Sequence, residues 1–292
     1  MKRKDLLVYI NGEFYPESNA KISVLDRAFV YGDGVFEGII VVEGNIFELD
    51  QHIDRLYRSA KMIRVNIPLT KQQMKEAIIE VVRRNELKNG YIRPLISRGE
   101  GPLGLERMAE LKGPTIVIIP QIREMMYRDR GLTAKIVTIR RIPPECLDPR
   151  IKSCNYLSNV LAKIEQKDAG VEVGIMLDTH GYVAEACAEN IFIVRDGMIY
   201  TPYPIHVLDG ITRRAVMRLA TEAGIRVIEA NMTKYDLYTA DEVFITGTLA
   251  GVAAITKVDN WTIGTGSIGP ITKKLMQATK EAMKKEGVKV FD

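Results

Sequence analysis

The chain has 292 residues, 46% of them apolar and 27% charged, with 23 Gly, 12 Pro and 3 Cys. That mix excludes a disordered tract, a collagen-like repeat and a disulfide scaffold, and the length suits about two domains at ~150 residues each. The 41 Lys and Arg against 37 Asp and Glu leave a charge of +4, interleaved with acids, which argues against a nucleic-acid partner.

The chain opens on a basic Lys2-Arg3-Lys4 cluster, but the apolar run that follows spans only Leu6 to Ile10. That is too short for a signal peptide, and no window approaches the ~18 apolar residues of a membrane span, so the expectation is a soluble, cytoplasmic protein with no membrane partner. Cys146, Cys154 and Cys187 form no C-x-x-C pair and read as reduced thiols.

Strands are expected at LLVYI, GVFEGIIVVEG and NIFELD, with Gly12, Gly32 and Gly44 as turns. From Gln51 to Arg64 the residues Ile53, Leu56, Tyr57, Ala60 and Ile63 fall at helical spacing behind Asp50 as N-cap, and His52, Arg55 and Arg58 lie off that stripe. Thr70 and Gln73 form a capping box for a second helix to about Leu87. YIRPLISRG and PTIVIIP read as strands, the second apolar enough to be buried on both faces. The polar stretch 122–131 marks a linker between an N-terminal α+β domain, 1–121, and a C-terminal domain, 132–292.

Beyond it come a strand at AKIVTIRR, a Pro143-Pro144 break, and a helix from Tyr156 to Ala169 closed by Gly170. The strand VEVGIMLD and a hairpin turning at Asp196-Gly197 follow. A helix from Thr212 to Gly224, the strand EVFIT and a helix from Ile271 complete the chain.

Gly264 to Gly269 fits G-x-G-x-x-G, but too little chain follows for a dinucleotide fold, so a turn before a helix is the better reading. His52, His180 and His206 are far apart and lack an H-E-x-x-H pairing, so no metal site is expected. Lys152 has apolar neighbours in IKSCNYLSNV and precedes a helix. A lone lysine is as often a surface residue, but a desolvated one suits imine chemistry, because the attacking amine must be neutral.

The stretch from Glu185 to Arg213 carries an acid ending one strand, Asn190 opening the next, Thr201 after it, and Leu208-Asp209-Gly210-Ile211-Thr212-Arg213 entering a helix. This resembles, element by element, the signature of the class-IV aminotransferases, the fold-type-IV pyridoxal-phosphate enzymes. YGDGVFEG, HIDRLYRSA, YIRP and FITGT extend the resemblance over essentially the whole chain. It implies a two-domain α/β (α+β) fold with a smaller N-terminal α+β domain and a larger barrel-like cofactor domain. It also implies pyridoxal 5'-phosphate as cofactor and a homodimer or an assembly of dimers.

By the same resemblance Lys152 is the imine-forming catalytic lysine, Glu185 faces the pyridine nitrogen, Arg55 reaches the phosphate, Leu208 lies against the ring and Tyr156 meets the phenolic oxygen. Gly210, Ile211, Thr212 and Thr248 would serve the phosphate. Physical sense supports these roles: a turn into a helix presents free N–H groups to an anion, a guanidinium is a planar fork suited to phosphate, and a carboxylate keeps the ring nitrogen protonated.

YIRP makes the branched-chain amino acid aminotransferases the nearest branch. That resemblance assigns Phe36, Tyr91, Arg93, Thr248 and Leu249 to the substrate, and implies transfer of nitrogen from L-leucine, L-isoleucine and L-valine to 2-oxoglutarate. D-amino acid transaminases carry an Arg-x-His pair that is missing after Arg98-Gly99, and aminodeoxychorismate lyase is the other alternative on this fold. The sequence departs from the branched-chain pattern in three places. Lys152 to Tyr156 is one residue shorter, a spacing more like the D-specific branch; Ala186-Cys187-Ala188 stands where Gly and Ser are usual; and Gly251 stands where an acid is common.

Overall fold

The structure is a computed structural model that describes residues 5–125 and 129–291. The chain divides into two units: Met1–Met125 with Ile151–Asn155 and Met283–Asp292, and Met126–Arg150 with Tyr156–Ala282. The sequence suggests one linear cut at 122–131; the structure instead returns two later segments to the first unit. Long-range pairing is the reason. Val35 bridges Ser153, and the last strand of the chain joins the first unit's sheet. Residues 126–128 of the expected linker lie outside the described residues, and Ile122 belongs to a strand.

In the first unit the elements are β1 (Leu7–Ile10), β2 (Glu13–Pro16), α1 (Arg27–Tyr31), β3 (Gly34–Phe36), β4 (Ile39–Val42), β5 (Asn45–Phe47), α2 (Leu49–Met62), α3 (Lys71–Arg84), β6 (Gly90–Ser97), β7 (Thr115–Ile122) and, at the far end of the chain, β17 (Gly287–Lys289). The sheet order is β17-β5-β4-β6-β7-β1-β2, with β3 paired to β6. Ile53, Leu56 and Ala60 of α2 and Met74, Ile78 and Val81 of α3 form one core with Ile39, Val41, Ile92 and Ile118 of the sheet.

Several local expectations shift. The N-cap of α2 is Glu48, in the left-handed region at φ 50°, and Asp50 sits in the first turn, where its charge meets the positive helix end. The Thr70–Gln73 capping box is present, but α3 stops at Arg84 with Asn85 as C-cap. β7 is buried along one part only, since Ile119 and Ile122 are exposed. α1, a five-residue helix capped by Asp26 and closed by Gly32 at φ 66°, had no periodic signal.

The second unit contains β8 (Leu132–Arg140), α4 (Leu157–Asp168), β9 (Val173–Leu177), β10 (Val183–Ala186), β11 (Asn190–Arg195), β12 (Met198–Thr201), α5 (Ile211–Glu222), β13 (Val227–Glu229), α6 (Lys234–Tyr238), β14 (Glu242–Gly247), β15 (Gly251–Val258), β16 (Trp261–Thr262) and α7 (Pro270–Lys285). The order β10-β9-β8-β15-β14-β11 closes on itself because β10 also pairs with β11 through Glu185 and Asn190. The result is a closed barrel. Period-2 alternation sorts its strands: Ile191 and Ile193 join the barrel core with Val243, Ile245 and Ile255, while Phe192 and Val194 pack with Phe244, Val216 of α5 and Leu275 of α7. Phe192 and Phe244 stack at 4.9 Å. The Gly264–Gly269 stretch is a turn into α7, with Gly264 and Gly266 at positive φ.

Candidate active site

In the first unit the site grows from an interruption. β6 pairs with β4 through Gly90–Ile92 and with β3 through Leu95–Ser97, so Arg93 and Pro94 face the break at Glu37-Gly38. Pro94 has no N–H to donate there; its carbonyl accepts the Glu37 N–H at 2.8 Å. Gly38 is required by space, because a Cβ would lie 2.1 Å from the Tyr91 hydroxyl oxygen. That hydroxyl accepts a hydrogen bond from Arg93 Nη2 at 3.1 Å.

Glu37 is fully buried against α2. Arg55 donates Nε to Oε1 at 2.6 Å and Nη2 to Oε2 at 2.8 Å, and His52 Nδ1 meets Oε2 at 2.7 Å. Burial alone would push the Glu37 carboxyl up, but the Arg55 charge and hydrogen bonds, with help from His52, outweigh it and hold the carboxyl far below its usual range. His52 is pushed down, first by burial and then by the charges of Arg55 and Lys152, against the pull of Glu37. A neutral imidazole that meets a carboxylate through Nδ1 must carry its proton there. The sequence placed His52 and Arg55 off the apolar stripe of α2; both are buried, at 1% and 5% exposure. The Arg55 fork expected for phosphate therefore already grips Glu37 with two of its nitrogens.

Lys152 belongs to the segment that pairs with β3: its carbonyl accepts the Phe36 N–H at 2.9 Å and its N–H donates to Ser59 Oγ at 3.2 Å. The amine Nζ lies 4.6 Å from the centre of the Phe36 ring, and the Arg93 guanidinium lies 4.9 Å from the same ring. The structure thus brings Lys152, Phe36, Arg93 and Tyr91 together within one unit. The neighbouring Cys154 thiol is pushed up to about 11 by burial.

In the second unit Glu185 sits on β10 with 5% exposure. Its Oε1 forms an ion pair with Arg141 Nε at 2.7 Å. Its Oε2 accepts the Leu208 N–H at 3.0 Å and the Asn190 amide at 3.4 Å, and Asn190 also donates to the Leu208 carbonyl at 2.8 Å. Gly210 is the N-cap of α5, and a Cβ there would fall 2.0 Å from Asn190 Oδ1. No side chain caps this helix and its first turn holds no acid, while Ile211 and Thr212 are buried. Asp209 pairs with Arg214, and Arg213 donates to the Pro202 carbonyl.

Thr248 and Leu249 lie with Ala250 in the loop between β14 and β15, closed by Gly251 at φ 57°. That left-handed position explains a glycine where an acid is common. Two residues before Thr248, the buried Thr246 hydroxyl has no hydrogen-bond partner among the described residues. Tyr156 occupies the N-cap position of α4 without capping it. Thr201 is structural, its hydroxyl donating to the Ile191 carbonyl at 2.9 Å.

These residues fit a phosphorylated pyridine aldehyde. An uncapped, acid-free helix start over a glycine suits the phosphate, a buried carboxylate suits a protonated ring nitrogen, and an amine on an aromatic face suits the aldehyde. Sequence reasoning missed the partners. Glu37 and His52 lie within YGDGVFEG and HIDRLYRSA but were given no role there, and Arg141 lies in no motif; the available signals were an acid flanked by two buried strands, a histidine three residues from Arg55 on one helix, and an arginine just before Pro143-Pro144.

A family model described as amino-transferase class IV matches residues 34–258. A Methanocaldococcus jannaschii protein, named provisionally as a branched-chain-amino-acid aminotransferase, is 46% identical over 287 residues, covering 98% of this chain and 99% of that one. The branched-chain-amino-acid aminotransferase of Pseudomonas aeruginosa is 37% identical, over 95% of this chain and 93% of its own. The crystal structure of a T.th. branched-chain amino acid aminotransferase with pyridoxamine 5'-phosphate is similar at a TM-score of 0.92 and 38% identity, over 96% of this chain and 95% of that one. The Escherichia coli enzyme of the same name is similar at a TM-score of 0.91 and 33% identity, over 98% and 97%. The chain belongs to the class IV aminotransferases, the fold-type-IV pyridoxal-phosphate enzymes.

Proposed function

We propose that this chain transfers nitrogen from branched-chain L-amino acids to 2-oxoglutarate by a ping-pong cycle. The observation that carries the reading is the first-unit cluster. Lys152 and Arg93 lie on one aromatic ring, Phe36, and Tyr91 fixes the guanidinium, so an amine, an apolar wall and a carboxylate partner are offered side by side.

Pyridoxal phosphate, when bound, supplies an aldehyde for the amino group and a ring that withdraws electrons from the substrate Cα. With pyridoxal phosphate bound, Lys152 would be the amine that holds it and the base that moves a proton at the substrate Cα. Arg93 and Tyr91 orient the carboxylate side of the substrate, and Phe36 lies along its hydrocarbon; Thr248 and Leu249 complete that assignment. Glu185 would hold the proton of the ring nitrogen, Leu208 would face the ring, and Tyr156 would serve the phenolic oxygen. Arg55, Gly210, Ile211, Thr212 and Thr248 serve the phosphate.

A homodimer is part of the same reading. Val24 and Phe29 are 73% and 74% exposed, and Leu103 and Leu105 are 59% and 63% exposed. Both segments are tied together, Gly104 N–H donating to the Tyr31 hydroxyl at 3.0 Å and Arg27 to the Gly104 carbonyl at 3.1 Å. An apolar patch built this deliberately suits a second copy of the chain. No helix among the described residues is long and apolar enough to cross a membrane, and the three cysteines are free thiols; both support a cytoplasmic location.

The test is a panel of L and D donors with 2-oxoglutarate. L-Leucine, L-isoleucine and L-valine should be good donors and differ modestly, since a methylene in an apolar pocket is worth ~1–3 kcal/mol. A faster rate with D-alanine would overturn the stereochemical reading, and pyruvate release from aminodeoxychorismate would favour a lyase.

A further inference from the structure

We propose that Arg141 is the positioning residue for Glu185, keeping that buried carboxylate charged so that it can hold a protonated ring nitrogen. The inference rests on the pyridoxal-phosphate reading of the site.

A carboxyl removed from water favours its neutral form unless an opposite charge or hydrogen bonds hold it ionised. The side chains of Glu185 and Arg141 are 6% and 12% exposed, and their ion pair closes at 2.7 Å. The hydrogen bonds that Glu185 accepts from the Leu208 N–H and the Asn190 amide come from neutral donors. The nearby charge on its own hairpin is of like sign: Glu189 has its carboxyl pushed up by burial and, in small part, by Glu185, against the pull of Lys163 from α4. Arg141 supplies a cation in direct contact with Glu185.

Arg141 is itself fixed from several sides. Its N–H donates to the Leu177 carbonyl at the end of β9 at 2.9 Å. Its Nη1 reaches Asn159 Oδ1 on α4 at 3.4 Å, and Asn159 in turn donates to the Cys187 carbonyl at 2.7 Å, just past β10. The guanidinium thus takes its aim from β9, α4 and the turn after β10. Its Nε lies 2.7 Å from Oε1 as an ion pair, with no hydrogen bond on that N–H among the described residues, while Leu208 and Asn190 donate to Oε2.

The consequence is a difference in protons. With Arg141 present, Glu185 enters cofactor binding as an anion, and the proton shared with the ring nitrogen must arrive with binding. Without the cation Glu185 carries that proton beforehand. The dissociation constant of pyridoxal phosphate should therefore rise with pH more steeply in the native protein than in Arg141→Met. The ratio of variant to native constants should fall by up to about tenfold per pH unit wherever the variant's Glu185 stays protonated. The contribution of free pyridoxal phosphate cancels in that ratio.

The experiment titrates the stripped full-length protein with pyridoxal phosphate across pH 6 to 9 for the native chain, Arg141→Met and Arg141→Lys. The expected result is a pH-dependent ratio for Arg141→Met and a native slope for Arg141→Lys. Parallel profiles for Arg141→Met and the native chain would overturn the proposal, because lost packing weakens binding equally at every pH. So would an Arg141→Lys profile that follows Arg141→Met.

If Arg141→Met does not fold, Arg141→Gln, which keeps a donor to Asn159, takes its place. Difference infrared spectroscopy of the cofactor-free protein tests the same claim without the cofactor: the uncharged variant should show a protonated-carboxyl band that disappears when Glu185→Gln is added. Absence of that band overturns the proposal. A native chain that binds no pyridoxal phosphate defeats the cofactor reading instead, and the infrared result still decides the role of Arg141.

Discussion

Glu37 in the first unit and Glu185 in the second are both buried carboxylates beside a strand end, and each is paired with an arginine, yet they are held in different ways. Glu37 is gripped by two side chains of one helix, with Arg55 on both oxygens and His52 on one. Glu185 has an arginine from the chain after β8 on one oxygen and a backbone N–H with an amide on the other. Charge builds the first cluster. In the second, neutral donors share the holding, and the start of α5 nearby is left uncapped. The first should therefore register in stability and its dependence on pH, and the second in the chemistry of a bound ligand.

The largest expected effect lies in the first unit. Lys152→Ala should abolish amino transfer, because it removes the amine that lies on the Phe36 ring. Borohydride reduction should fix a pyridoxyl group to Lys152 in the native protein, and peptide mapping to any other lysine would defeat the assignment.

Next is Arg55→Leu, which strands a buried carboxylate. Removing one partner of such a pair typically costs ~3–5 kcal/mol, whereas Glu37→Leu with Arg55→Leu should cost less than Arg55→Leu alone. Urea unfolding of the two variants checks this, and a double variant no better than the single would show that Glu37 does not depend on Arg55.

Glu185→Gln should leave the fold nearly intact but slow the half-reaction with substrate about 10²-fold, by analogy with the loss of one preorganised electrostatic group. Single-turnover rates close to native would break the contrast drawn between the two carboxylates.

The smallest effect is on pH. His52 has its pKa lowered in the fold, so below about 6.5 the unfolded chain binds a proton that the folded chain refuses. Its contribution is intact above that pH and is lost as pH falls, by at most ~1.4 kcal/mol per unit. Glu37, also lowered, acts with the same sign once pH drops below about 4.3. Glu189 opposes them: its raised carboxyl keeps a proton in the fold, so its contribution fades as pH rises past about 4.3. His52→Gln should flatten the fall in unfolding free energy between pH 6.5 and 5; an unchanged slope would place the titration elsewhere.

Local chemistry was legible in the chain itself. The Thr70–Gln73 box, the Asp196-Gly197 hairpin, the Gly170 and Gly224 helix ends and the glycine before α5 each act over a few residues, so each could be read without knowing the fold. The signature from Glu185 to Arg213 is likewise carried by residue type and spacing, and it led to the family and its cofactor.

Tertiary structure decided what no spacing records. Closure of the barrel depends on one antiparallel pairing, Glu185 with Asn190. Membership of the first unit by Lys152 depends on a strand more than a hundred residues earlier. The short strand β17 joins β5 from the other end of the chain. Most telling are the partners Glu37, His52 and Arg141. A sequence shows that a residue is charged, but whether the charge faces water or an opposite charge in a dry interior depends on long-range packing. Burial then sets the protonation state on which the proposed chemistry rests.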